Sequence, residues 1–337
     1  MSEQQRILVG GPFFEDFKVG QVFDGAPAIT ITQGHTALYQ AAFGDRMRLP
    51  CDGRLGEKVC RRDRLLVHPT LVCNIAIGQS TTPSQRVLGN MFYRRLVTLR
   101  PVFVGDTLTT TTEVIALKQN RQRAGKPSSG LVALRVTAVN QHQSRVLDFW
   151  RCPMIPLREP DVDTGHADEF DDIPSQISKE ELMRAVPEWW DLHHYRRLVP
   201  GDHFTDISPG VTYVIEARDT ITAAPEFVRL TFNMAQAHTD AGASIFGERL
   251  VYGGHTIALV GAQVMRALPN IVSIVAWRSC NHLGPVFEQD LIQTEVLVDS
   301  VHPLPGGHGL VDLVASAHAG DGEKRPVLRW HLVALMA

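Results

Sequence analysis

The sequence predicts a duplicated α+β protein, two similar halves in each of which an antiparallel sheet wraps around one buried helix. Three observations carry that reading. The chain has 337 residues, too many for one ordinary domain and about right for two of roughly 150 each. Blocks of sequence recur in the same order along it, and a duplicated pattern implies a duplicated supersecondary unit. Each half also runs from a helix-bearing front into several long stretches of β-forming residues, the order of an α+β layer fold.

The first repeated block is Phe14-x-Asp16 with Gly20 and Phe23, matched by Phe204-x-Asp206 with Gly210 and Tyr213; Thr30-Ile31-Thr32 and Thr220-Ile221-Thr222 follow. The second places Tyr39 six residues before Asp45 and Phe227 six residues before Asn233. In the third, Arg64-Leu65-Leu66-Val67 and Arg249-Leu250-Val251-Tyr252 each precede an apolar stretch. After Gly253-Gly254, the residues Ile257, Val260, Gly261, Val264, Met265 and Leu268 keep helical spacing with a broad buried face, and Pro269 closes the run. The fourth block pairs Pro101-Val102-Phe103 and Asp106 with Pro285-Val286-Phe287 and Asp290. The segments that follow, 107–117 and 291–301, are rich in strand formers. Gly130-Leu131-Val132 with Gly309-Leu310-Val311, and Val146-Leu147 with Val327-Leu328, complete the repeat. Between the halves, Glu159 to Asp172 holds seven acidic residues and few apolar ones, which marks a solvated linker. The aromatic segment from Trp189 to Tyr195 reads as packing at the junction. The expected division is therefore 1–157, a junction over 158–198, and 199–337.

Composition narrows the function. Hydrophobic residues at 44% and charged residues at 20% suit a chain with buried cores. A formal charge of −3 supplies no basic field for nucleic acid or an anionic membrane, so a small-molecule partner is expected. The five cysteines, Cys51, Cys60, Cys73, Cys152 and Cys280, form no CxxC pair, which suits a reducing cytoplasm and argues against a metal site. The opening MSEQQRILVGG has no export pattern, and the apolar run around 257–268 is broken by Gln263 and Arg266, so neither export nor membrane spanning is expected.

Candidate chemistry centres on Asn233-Met234-Ala235-Gln236-Ala237-His238-Thr239-Asp240, between the first block and the helix of the second half. Here the chain resembles the MaoC-like (R)-specific enoyl-CoA hydratases, double hot-dog proteins that carry an Asp, four residues and a His at this place. Hydration of an α,β-unsaturated thioester needs a group to orient and deprotonate water, a proton for the α-carbon, and donors for the carbonyl oxygen where enolate charge develops. The resemblance implies His238 as acid/base, with Asn233 in the Asp position holding water through its carboxamide. The plainer alternatives are a structural histidine and an Asx turn. The first half departs the other way: Asp45 is kept, while Pro50 stands where the His would be. One site in the second half is expected, with the first half as its wall.

Gly253-Gly254-His255 opens the buried helix, where free N–H groups and the helix dipole favour an oxyanion. Gly254 is counted with the catalytic candidates, and Gly253, His255, Tyr252, Arg249, Arg278 and Asp240 with those that bind substrate. The string Arg249 to His255, the Asn233–His238 spacing and Phe13-Phe14-Glu15-Asp16-Phe17 together resemble the mesaconyl-CoA hydratase branch, also called β-methylmalyl-CoA dehydratases. That resemblance implies reversible hydration of mesaconyl-CoA without a metal or redox cofactor. A second carboxylate on the substrate asks for a cation in the tunnel, and Arg249, Arg278, Arg94 and Arg95 are the candidates. Two other functions remain on the same fold: a thioesterase, disfavoured because residues 255–268 hold no acidic residue, and a non-catalytic acyl-CoA-binding protein. A monomer or a homodimer fits either way.

Overall fold

The computed structural model describes residues 6, 7 and 9–337; the Met1–Gln5 segment and Leu8, within the opening read above for an export signal, lie outside them. The first half runs through β1 (Val22–Phe23), β2 (Ile29–Thr30), α1 (Gln33–Phe43), α2 (Arg48–Cys51), α3 (Gly53–Cys60) and α4 (Pro69–Gln79). Four long strands follow: β3 (Gly89–Thr98), β4 (Thr107–Gln119), β5 (Ser129–Val139) and β6 (Arg145–Pro156). Two short helices, α5 (Lys179–Ala185) and α6 (Leu192–Leu198), occupy the junction. The second half repeats the order as β7 (Thr212–Val214), β8 (Asp219–Thr220), α7 (Ala224–Leu230), α8 (Gly253–Ala267), β9 (Ile271–His282), β10 (Leu291–Pro303), β11 (Gly309–Ala319) and β12 (Arg325–Met336).

The strands form one antiparallel sheet in the order β1-β4-β5-β6-β3-β9-β12-β11-β10-β7, with β2 on β4 and β8 on β10. When each strand is matched to its repeat, the order reads the same from both ends. The halves join in the middle, where Tyr93 pairs with Cys280 and Leu96 with Trp277 across β3 and β9. Along β4 buried and less buried residues alternate, the period-2 pattern of a sheet with one face on a core. The helix α4 is buried at every residue, as an apolar helix wrapped by a sheet must be. It starts where Pro69 takes the first helical position and the His68 side chain accepts a hydrogen bond from the Thr70 amide at 3.1 Å.

The repeated sequence signals have repeated physical causes. Asp16 and Asp206 each accept from the amide three residues before, at 2.9 Å, and so close matching short turns. Those turns bring the Phe14 and Phe204 rings against Gly130 and Gly309, where any Cβ would collide with the ring. The acidic linker is less free than its composition suggests. The Gln119 amide donates to His166 at 2.8 Å, the Asp168 amide to Leu117 at 3.0 Å, and the Leu117 amide to the Asp168 carboxylate at 2.8 Å. With β1 and β2, the linker covers the outer edge of β4, which would otherwise present unpaired backbone groups. At the junction Trp190 is 7% exposed, packed in the cluster with Leu192 and Tyr195, while Trp189 is 41% exposed.

The halves also interlock away from the sheet. Gly78, near the end of α4, lies against the Thr231 carbonyl of the second half. Just beyond, the Met234 amide donates to the Thr81 hydroxyl and the Gln236 amide to the Gln85 carbonyl, both at 2.8 Å. The loop bearing Asn233 and His238 is thus seated on the first half. No helix among the described residues is long and apolar enough to cross a membrane.

Candidate active site

A cavity of about 220 Å³ opens between the halves. The first half supplies Ile77, Thr81, Tyr93 and Arg151; the second supplies Asn233, His238, Tyr252, Gly253, Thr256 and His282. Met91, Phe246 and Leu283 line it and are also exposed to solvent, which marks its mouth.

His238 ends a short turn, Gln236–His238, and its remaining exposure is to the cavity. Its Nδ1 lies 2.8 Å from the Leu250 carbonyl. A carbonyl only accepts, so Nδ1 carries the proton and Nε2 is left with a free lone pair. Burial pushes the pKa down to about 4; the Leu250 hydrogen bond opposes that, and the charge of Arg151 adds to it. At neutral pH the ring is therefore a neutral base. Nearby, His282 is also pushed down to about 4 by burial and by His238, and its Nε2 is buried without a partner.

Asn233 follows Phe232, whose φ is 59°, and accepts from the Ala235 amide at 2.9 Å through its Oδ1. The Asx turn and the cavity position thus coexist: the oxygen is used by the loop, and the NH2 group is left to the cavity. Burial raises the Tyr252 pKa well above its ordinary value, so the phenol stays protonated. Gly253 and Gly254 start α8 with no capping side chain, and no helical carbonyl precedes their amides. Side chains are excluded here, since a Cβ on Gly253 would run into His282 and one on Gly254 into Asn74 and Tyr252.

Other candidates lie elsewhere. Arg249 pairs with Glu288 on an exposed site and does not line the cavity. Arg278 is held by Asp312, with His302 and His331 on the same carboxylate. A guanidinium already paired with a carboxylate has little left for a substrate. The Arg94 guanidinium stacks over Phe92, 4.0 Å from the ring centre, and Arg95 pairs with Glu181. Asp240 is exposed and accepts from the Gly242 amide at 2.9 Å, a turn role. His255 points the other way, its Nε2 2.6 Å from the Thr222 carbonyl and its ring against Phe43 and Phe227. In the first half, Asp45 accepts from the Met47 amide at 2.8 Å and faces His68 Nε2 at 3.1 Å, fully buried and outside the cavity lining.

His255 makes the protein acid-sensitive. Burial lowers its pKa from 6.5 to about 4, and its buried Nδ1 has no acceptor for a second proton. Between those two values the unfolded chain binds more protons than the folded one, so stability rises with pH through the window and is lost on acidification. The expected loss for this one ring between about pH 7.5 and pH 5 is about 2 kcal/mol; His238 and His282, open to the cavity, add less. Urea unfolding at pH 7.5 and pH 5 should show the drop, and His255→Gln should flatten it. A wild-type stability that is level between the two would show the ring is not buried neutral.

Arg151 and His282 escaped the sequence reading. The signal for Arg151 is phase: Leu147 and Phe149 of β6 join the main core cluster, whereas Trp150 and Cys152 join another on the opposite face. Period-2 alternation therefore puts Arg151 on the helix-facing side.

No family model matches the chain. It is 30% identical over 303 residues to β-methylmalyl-CoA dehydratase of Chloroflexus aurantiacus, covering 87% of this chain and 84% of that protein. It is 29% identical over 319 residues to mesaconyl-CoA hydratase of Cereibacter sphaeroides, covering 92% and 91%. Among solved structures it matches Rv0216 of Mycobacterium tuberculosis, a double hot-dog protein, with a TM-score of 0.89 and 39% identity over 98% of this chain and all of that one. With the duplicated sheet and the cavity at its centre, these likenesses identify the chain as a member of the MaoC-like hydratase and dehydratase family, built on its double hot-dog fold.

Proposed function

We propose that the protein reversibly hydrates a short-chain enoyl-CoA, mesaconyl-CoA above others, to give β-methylmalyl-CoA. The observation that carries this reading is the neutral His238 base in a cavity that also holds the amide end of α8. With the thioester carbonyl at the start of α8, where Gly253 lines the cavity and Gly254 is buried behind it, enolate charge would develop against the positive end of the helix. A water held by the Asn233 NH2 group gives a proton to His238 Nε2 as its oxygen bonds to the β-carbon. The imidazolium then returns that proton to the α-carbon, so one water is added and His238 ends neutral. The chemistry is acid–base throughout and draws on no metal or redox cofactor. The named relatives act on such substrates at about the same identity, which supports mesaconyl-CoA as the acyl group.

The direct test mixes the protein with mesaconyl-CoA and, separately, crotonyl-CoA, following loss of the conjugated thioester absorbance and release of free thiol. Absorbance loss without thiol, faster with mesaconyl-CoA, is expected. Thiol release would make the protein a thioesterase, and binding without turnover of either compound would make it an acyl-CoA-binding protein.

A further inference from the structure

Resting on the hydratase reading, we infer that Arg151 is the receptor for a carboxylate on the acyl chain, and so selects thioesters of dicarboxylic acids over neutral ones. Arg151 is 3% exposed and lines the cavity from β6. Its Nη1 donates to the Ser80 hydroxyl at 2.8 Å and to the Ile77 carbonyl at 3.5 Å, and its Nη2 to the Ser84 hydroxyl at 2.7 Å. These partners are neutral and fix the guanidinium to the end of α4. Of its five N–H groups, Nε–H is buried without a partner and one Nη2–H remains, a count that matches the two oxygens of a carboxylate.

Among the described residues no carboxylate pairs with Arg151. The ionisable groups that bear on it are Tyr93, Tyr252 and Cys152. Burial raises all three, Tyr93 and Cys152 to about 12, so none is negative at neutral pH. No Asp or Glu stands among the described residues that line the cavity. A buried cation with no counter-ion is costly, and a carboxylate on the ligand would supply the missing charge. This contrasts with Arg249, Arg278 and Arg95, each of which has its own carboxylate. The thioester end is provided for by the helix amides, so the cation is free for a second anionic group in the same cavity. The same charge helps hold His238 neutral, and a carboxylate seated on it would relieve that effect in the bound state.

Saturated thioesters, which cannot be hydrated, separate this inference from the hydratase reading. Binding of methylsuccinyl-CoA and of its carboxylate methyl ester to the full chain is measured by calorimetry. The wild type should bind the free acid roughly 30-fold more tightly than the ester, and Arg151→Gln should remove that preference while changing ester binding less than about threefold. Equal affinity of the wild type for acid and ester overturns the inference, whether or not the variant folds. So does an equal loss of both in a variant with wild-type Tm, which would assign Arg151 to the thioester or the CoA moiety. Failure to hydrate either unsaturated thioester would defeat the hydratase reading and leave this binding comparison intact.

Discussion

Replacing His238 by alanine should lower kcat/KM for the hydrated thioester by about 10²- to 10⁴-fold, the usual contribution of a positioned acid/base. The reason is geometric. Leu250 holds Nδ1–H, which leaves Nε2 as a proton acceptor, and among the described residues that line the cavity no carboxylate can substitute for it. Folding should be little affected. The lost Leu250 hydrogen bond costs about 1 kcal/mol, and at neutral pH the ring is uncharged, so no ion pair is lost with it. Steady-state kinetics with a Tm on the same samples make the check, and His238→Gln, which keeps a hydrogen-bonding group but no base, should be as inactive as the alanine variant. Activity within about threefold of wild type would rule out acid/base work at this residue.

Gly78→Ala should be the most damaging substitution of a single methyl. The new Cβ would meet the Thr231 carbonyl, a backbone atom that cannot rotate aside as a side chain can. Either α4 or the 231–238 loop must move, and overpacking of this kind costs about 3 kcal/mol. Since Met234 and Gln236 are hydrogen-bonded to Thr81 and Gln85 just past Gly78, the displacement would carry His238 with it. A lower urea midpoint together with a fall in kcat is the expected result. Wild-type values of both would mean that the helix and loop are not in contact in solution.

The fold was legible because duplication shows every strand, and the helices α1 and α4 as α7 and α8, twice. The spacing of Ile257 to Leu268 marks α8, and the β-rich runs at 107–117 and 291–301 lie within β4 and β10. Asn233 and His238 were singled out through the resemblance to the hydratase family, and the structure brings both to the cavity wall. The roles of the arginines were not legible. Whether a guanidinium serves a substrate depends on whether a carboxylate is near it in space, and Glu288 and Asp312 lie 39 and 34 residues from Arg249 and Arg278. Arg151 is hidden by the same logic in reverse, since its neutral partners Ser80 and Ser84 come from another element. Nothing in the string Trp150-Arg151-Cys152 says that the counter-charge is missing.

The pairing of β3 with β9 bears on concentration as well as on shape. Both strands belong to one polypeptide, so the ladder that joins the halves closes as an intramolecular event, with an effective concentration set by the tether of residues 157–203. A cavity walled by separate subunits would empty by mass action as the protein became scarce. This one carries its partner wall with it, and the meeting of the halves does not depend on how many copies are present.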